Sequence, residues 1–197
     1  MILYLASGSP RRAELLQQIG APFTVLKAPD IDETPLENED PQRYVERMAR
    51  EKSRAGERLC VATGLPDGAV LGADTAVVLE NQILGKPRDR RHALAMLMSL
   101  SGKEHQVMSA LALSVAGHCQ VACSITQVRF RTLDEGRLSR YVATGEGDDK
   151  AGGYGIQGLG GALVATLAGS YSGVVGLPLE QTVTLLEQAG LDYWRID

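Results

Sequence analysis

Hydrophobic positions along this chain recur with two different periods, and the switches between them outline its elements. An apolar run near Ile2–Ala6 reads as a strand. Ser9 and Pro10 then read as the N-cap and first residue of a helix, with Gly20 as its stop. "FTVLKA" predicts a second strand. After the acidic loop "PDIDETPLENEDP", a long helix runs from about Pro41 to Arg58, with Val45, Met48, Ala49 and Ala55 along its apolar stripe. "AVLGADTAVVLENQILGKP" predicts a buried strand interrupted at Gly72–Asp74, then a short strand ending at Lys86. A helix follows over roughly Asp89–Leu100. "HQVMSALALSVAGHCQVACSITQVRFRT" reads as a long hairpin turning at Ala116–Gly117. Thr132 to Glu135 forms a capping box that opens a helix ending before Gly145. The glycine-rich stretch Gly152–Gly161 precedes the strand "ALVATLA", and a last helix runs from Pro178 to just before Gly190. Alternating strands and helices argue for an α/β fold, and the hairpin makes its sheet mixed. With no repeat, low-complexity tract or linker, residues 1–197 read as a single domain.

Several residues break the pattern around them. Continuing the stripe of the long helix at its 3.6 period brings Lys52 onto the core-facing side. A buried stem with a snorkelling ammonium explains that as well as a charged site does. Asp74 ends the predicted strand "AVLGAD"; there it either points into a ligand crevice or bonds a turn's backbone. Asp30, Asp32 and Glu33 in "DIDE" are hard oxygen donors suited to magnesium or manganese, or simply a solvated acidic loop. Lys86 stands at another strand end. Arg11 and Arg12 occupy the first turn of the first helix, where the helix dipole disfavours positive charge. Either they are solvated there or an anion comes to them.

Charge and composition narrow the partners. The net charge of -4 argues against a nucleic-acid binder that relies on bulk electrostatics, so any phosphate site must be local. No apolar run approaches a membrane span, and the N-terminus lacks the basic region of a signal peptide. Cys60, Cys119 and Cys123 have no framework spacing, which points to a reduced, cytoplasmic compartment. Cys119 and Cys123 share strand parity with Val121 and Ile125 and read as small apolar residues. His92, His105 and His118 fit no metal spacing and no catalytic triad, so they read as surface or structural residues. A homodimer is compatible with an α/β chain of this size.

"GYGIQG" satisfies G-x-G-x-x-G, the basis of an oxidoreductase reading, but neither a preceding strand nor a following helix supports it. Such a loop can still bring backbone close to a substrate. Its one amide side chain, Gln157, carries the paired donor and acceptor suited to a base edge. "SGSPRR" lacks the Gly-Lys-Ser/Thr ending of a Walker loop.

Arginines, lysines and a carboxylate-held divalent ion together suit a polyphosphate. The ordered motifs "LASGSPRR", "DE" at Asp32–Glu33, "AREK", "GADT", "GKPRD", "DKAGGYGIQG" and "VVGLP" span nearly the whole chain. In these the chain resembles the Maf family of nucleoside triphosphate pyrophosphatases. The resemblance implies an elongated mixed sheet flanked by helices, with two lobes and a central cleft. It implies Mg2+ or Mn2+ held by Glu33 and Asp74, with Asp74, Lys52 and Lys86 as catalytic residues. Ser7, Arg11, Arg12, Thr75 and Gln157 would bind substrate, Arg12 on phosphate and Arg11, Thr75 and Gln157 around the base. Those last three match the family branch acting on dTTP and UTP. The resemblance also implies a link to cell division, so a nucleotide-binding regulator acting through a partner without turnover is the alternative expectation.

Overall fold

The computed structural model describes residues 1–27 and 31–195; Asp30 lies outside the described residues. Strand β1 (Ile2–Leu5) leads into helix α1 (Pro10–Gln18), and a two-residue β2 (Thr24–Val25) follows. Helix α2 spans Pro41–Thr63, a turn longer than its stripe predicts. Asp40 caps its N-terminus by accepting from the backbone of Gln42 and Arg43. Strand β3 (Gly68–Leu79) and β4 (Gln82–Leu84) come next, then α3 (Arg90–Leu100) behind its Asp89 cap. The long hairpin is β5 (Glu104–Val115) and β6 (His118–Phe130), turning at Ala116 and Gly117 as predicted. Helix α4 (Glu135–Ala143), β7 (Val164–Ala168), α5 (Tyr171–Val175) and α6 (Leu179–Gln188) complete the chain.

Three expectations need correction. β3 is continuous through Gly72–Asp74, because β5 pairs with it from Ala69 to Val78. "FTVLKA" contributes only Thr24–Val25, since Leu26 makes its last backbone bond to β1 where β1 ends. The cap of α4 is Asp134, whose carboxylate accepts from Arg137 N; Thr132 lies before it. Ser9 is the N-cap of α1 and Pro10 its first residue, as predicted, although the Ser9 side chain makes no capping hydrogen bond. The five-residue α5 is too short for an apolar period to show in the sequence.

The sheet order is β2-β1-β3-β5-β6-β7, parallel from β2 to β3 and antiparallel beyond. Two apolar clusters share one face. Ala69, Leu71 and Ala73 of β3 belong to the first, with α1 and α6; Val77 and Leu79 belong to the second, with α3 and α4. Thr75 falls between them, so a polar residue marks the junction of the two cores. The opposite face is covered by α2, through Tyr44, Val45, Met48 and Ala49.

The pairing registers create an opening. β1 covers one edge of β3 at Gly68–Leu71, and β4 covers the same edge at Val77–Leu79. Between them, Gly72–Ala76 have no strand partner on that side. The carboxyl end of β1 and the start of α1 run into this gap, as ligand-binding crevices do in open α/β sheets. Among the described residues, no helix is long and apolar enough to cross a membrane.

Candidate active site

Asp74 reaches the gap from the middle of β3, not from a strand end. Its neighbour Gly72 explains what it meets there. A Cβ on Gly72 would lie 2.3 Å from the carbonyl oxygen of Ala49 and 2.4 Å from the amide of Ser53. With no side chain at 72, α2 lies directly against β3, and Lys52 reaches the cleft from between those two contacts. Its Nζ donates to Asp74 Oδ1 at 2.6 Å and pairs with Glu33 Oε1 at 2.7 Å. The break in the apolar stripe is thus a cation holding two carboxylates together.

Glu33 is brought there by α2 as well. The Tyr44 hydroxyl donates to the Glu33 carbonyl at 2.9 Å, and Arg47, one turn on, donates to the Thr34 carbonyl while pairing with Glu39. Burial and the nearby Asp74 and Glu33 charges push the Tyr44 phenol up to about 12, so it remains a donor. Partial burial raises the Glu33 pKa, but Lys52, Lys86 and Arg12 outweigh it, and the carboxyl titrates below its ordinary value. Asp32 turns away, accepting from Thr34 N.

Arg12 is buried on the cleft floor. It donates from Nε to the Gly176 carbonyl at 2.9 Å, from Nη1 to Ser7 Oγ at 3.0 Å and from Nη2 to Thr75 Oγ1 at 3.4 Å. A guanidinium has five N–H donors, so two remain for a ligand. Burial lowers its pKa, opposed by Asp74 and Glu33, yet an arginine of this kind stays charged. Arg11, Lys86 and Gln157 line the same cleft. Among the described residues their side chains make no hydrogen bond or ion pair. The cleft encloses about 1410 Å³.

The glycine-rich segment forms the opposite wall, and its glycines face inward to a carboxylate. Glu146 Oε2 accepts from Leu159 N at 2.7 Å; Oε1 accepts from Gly160 N at 2.8 Å and from the Tyr141 hydroxyl at 3.0 Å. A Cβ on Gly158 would lie 2.2 Å from Glu146 Oε2, and one on Gly160 2.6 Å from the Gly155 carbonyl. The loop is therefore closed around Glu146. No helix follows it of the kind a dinucleotide site requires; a 3-10 turn (Leu159–Leu163) does. Tyr154, from the same segment, meets the buried His105 at 2.8 Å through its hydroxyl and packs edge-on against Phe130.

Residues 2–189 match the family described as Maf-like protein. The chain belongs to the Maf family. It is 65% identical to the dTTP/UTP pyrophosphatase of Alcanivorax borkumensis over the full length of both chains. It is 54% identical to the dTTP/UTP pyrophosphatase of a Shewanella species, over 97% of this chain and all of that one. Identity to the Nitrosospira multiformis protein of the same name is 48%, covering 96% and 95% of the two chains.

In this Maf chain one cleft is lined by Ser7, Arg11, Arg12, Glu33, Lys52, Asp74, Thr75, Lys86 and Gln157. Asp32 is the neighbouring acid that does not line it. Sequence reasoning missed Glu146, Tyr44 and Arg47. The first left a trace, an acid ahead of a run of glycines. The others hold the Glu33 loop through its backbone carbonyls, which no spacing announces. Among the described residues, no three His, Cys, Asp or Glu side chains gather into a metal cage. The donor set is two carboxylates, Glu33 and Asp74. That fits magnesium, which typically takes one or two carboxylates and completes its shell with water and substrate phosphate.

Proposed function

We propose that this chain hydrolyses UTP and dTTP to the nucleoside monophosphate and pyrophosphate. The observation that carries the reading is the convergence at the unpaired edge of β3. There the Lys52–Glu33–Asp74 cluster, buried Arg12 and Lys86 face one cleft of about 1410 Å³. The names of the full-length relatives supply the nucleotide class.

In this reading Arg12 and Lys86 draw the triphosphate in, with Ser7 and the α1 amides at its side. Lys52 holds Asp74 by Oδ1 and leaves Oδ2 free of protein partners among the described residues. Oδ2 aligns a water and accepts its proton as the water oxygen bonds to the α-phosphorus. The bond from the α-phosphorus to the bridging oxygen breaks, and pyrophosphate leaves with that electron pair. Arg12 and Lys86 neutralise the charge that grows on it. A carboxylate is a weak base for water, so Asp74 alone is a modest catalyst. Glu33 and Asp74 would hold a divalent cation, Mg2+ or Mn2+, which when bound supplies Lewis acidity toward the phosphate oxygens. Arg11, Thr75 and Gln157 face the base.

The test is product analysis with UTP and dTTP in the presence of magnesium. Pyrophosphate and monophosphate released in excess over enzyme are the expected result. Orthophosphate with a nucleoside diphosphate would move the attack to another phosphorus. Binding without turnover would overturn the enzymatic reading.

A further inference from the structure

Among the described residues, Lys52 alone bonds both carboxylates at the open edge of β3. Its Nζ lies 2.6 Å from Asp74 Oδ1 and 2.7 Å from Glu33 Oε1. It cannot swing far. Gly72 lets α2 lie against β3 on either side of it, at Ala49 and Ser53, so its stem leaves the helix from a close-packed turn. An ammonium has three N–H donors, and two are committed here. Arg12 and Lys86 add their fields: both act on the Glu33 charge, and Arg12 on that of Asp74. Three cations therefore face two carboxylates. Over the whole cleft lysines and arginines outnumber the acids, although the chain itself is net negative.

A divalent cation needs the opposite balance. Its attraction to a carboxylate pair is largely cancelled when a unit positive charge already sits at hydrogen-bond distance from both. A triphosphate restores it. Phosphate oxygens carry the negative charge that outweighs these cations, and they accept the third Lys52 hydrogen and the remaining Arg12 donors. They also complete the shell of a magnesium ion that takes only one or two carboxylates from protein. We propose that Lys52 is a built-in counter-ion that keeps Glu33 and Asp74 from holding a divalent cation by themselves, so that the cation enters with the triphosphate and leaves with the products. Between turnovers the same ammonium keeps the two carboxylates from repelling each other, and the site stays assembled. This rests on the pyrophosphatase reading given above.

The test reads metal binding, not turnover. Mn2+ uptake by the full chain is followed through water proton relaxation, which separates protein-bound from free ion. Without nucleotide the unmodified protein should take up Mn2+ weakly. Lys52→Met, which keeps the stem but not the charge, should bind it tighter by about tenfold or more, the least expected of a unit charge removed at hydrogen-bond distance. Adding Glu33→Gln to Lys52→Met should abolish that gain, which assigns it to this carboxylate pair. With α,β-imido-UTP, whose scissile bridge resists hydrolysis, the unmodified protein should take up the ion as well. A lysine that only props the loop behaves differently: its loss frees Glu33, and Mn2+ affinity stays the same or falls. That result in folded Lys52→Met overturns the proposal. Should Lys52→Met not fold, the unmodified protein decides alone, because Mn2+ bound as tightly without nucleotide as with α,β-imido-UTP overturns it too. UTP turnover by the unmodified protein is measured alongside. Turnover with no gain in Lys52→Met sinks this proposal alone. A gain without turnover sinks the pyrophosphatase reading while the counter-ion role stands.

Discussion

The two walls of the cleft are held by different means. The floor, at the unpaired edge of β3, is tied by charge and by regular secondary structure. Arg12 makes three hydrogen bonds, and Lys52 grips two carboxylates from two segments. The opposite wall is a glycine-rich loop whose amides are gathered by the Glu146 carboxylate and the Tyr141 hydroxyl. The groups placed to meet a ligand differ accordingly: Asp74 and Arg12 are buried, while Gln157 is exposed. Chemistry at phosphorus needs fixed charges in a poorly solvated place, where electrostatic stabilisation is strongest. Base recognition needs reach and exchangeable polar groups, which a loop supplies.

That contrast can be broken in order of expected effect. Asp74→Asn keeps the shape but removes the proton acceptor. Turnover of UTP should fall by roughly 10²–10⁴-fold with the fold intact, in line with general-base contributions. Near-normal turnover in a steady-state assay would remove Asp74 from its role. Arg12→Ala should weaken every nucleoside triphosphate by roughly 10²-fold in kcat/KM, since a charge-assisted hydrogen-bonding group is lost. Arg11→Ala should change mainly the ratio among nucleotides. Equal losses across all substrates in both variants would erase the division between phosphate and base.

Glu146→Gln tests the other wall. An amide cannot accept from Leu159 N, Gly160 N and Tyr141 together without presenting its own N–H to one of them. The loop should loosen, and KM for UTP should rise by about tenfold with kcat much less affected. A kcat-only effect would place Glu146 in the chemistry. In the native fold, burial works against Glu146 ionisation, but the Gly160 and Leu159 amides, Tyr141 and Lys150 prevail and lower its pKa. Its contribution is therefore present above the unfolded value and lost as pH falls through the folded one.

The smallest effect on activity, and a distinct one on stability, comes from His105 behind that loop. Burial brings its pKa down to about 4. The unfolded chain takes up this proton at higher pH than the folded one. Stability should therefore fall as pH drops from about 6.5 toward 4, by about 3 kcal/mol at the limit. Melting temperatures of the unmodified protein and a His105→Gln variant across that range would show it as a shallower acid slope in the variant.

Much of this was legible in the chain itself. The two periods placed the helices and the long hairpin, because burying one face of an element is a local, repeating demand on sequence. Lys52 stood out because it violated that demand. The family motifs then pointed to a triphosphate. What the sequence by itself determined is thus the set of elements and the cast of charged residues. The tertiary structure decided how they meet. Asp74 looked like a strand end because its flanking glycine reads as a break; β5 pairs straight through it, and the glycine instead admits α2. The gap at Gly72–Ala76 exists only because β1 stops and β4 starts on the same edge of β3. Gly158 of "GYGIQG" leaves a space that the Glu146 carboxylate fills. Each of these depends on which strands pair and in what register, a non-local choice that no window of residues contains.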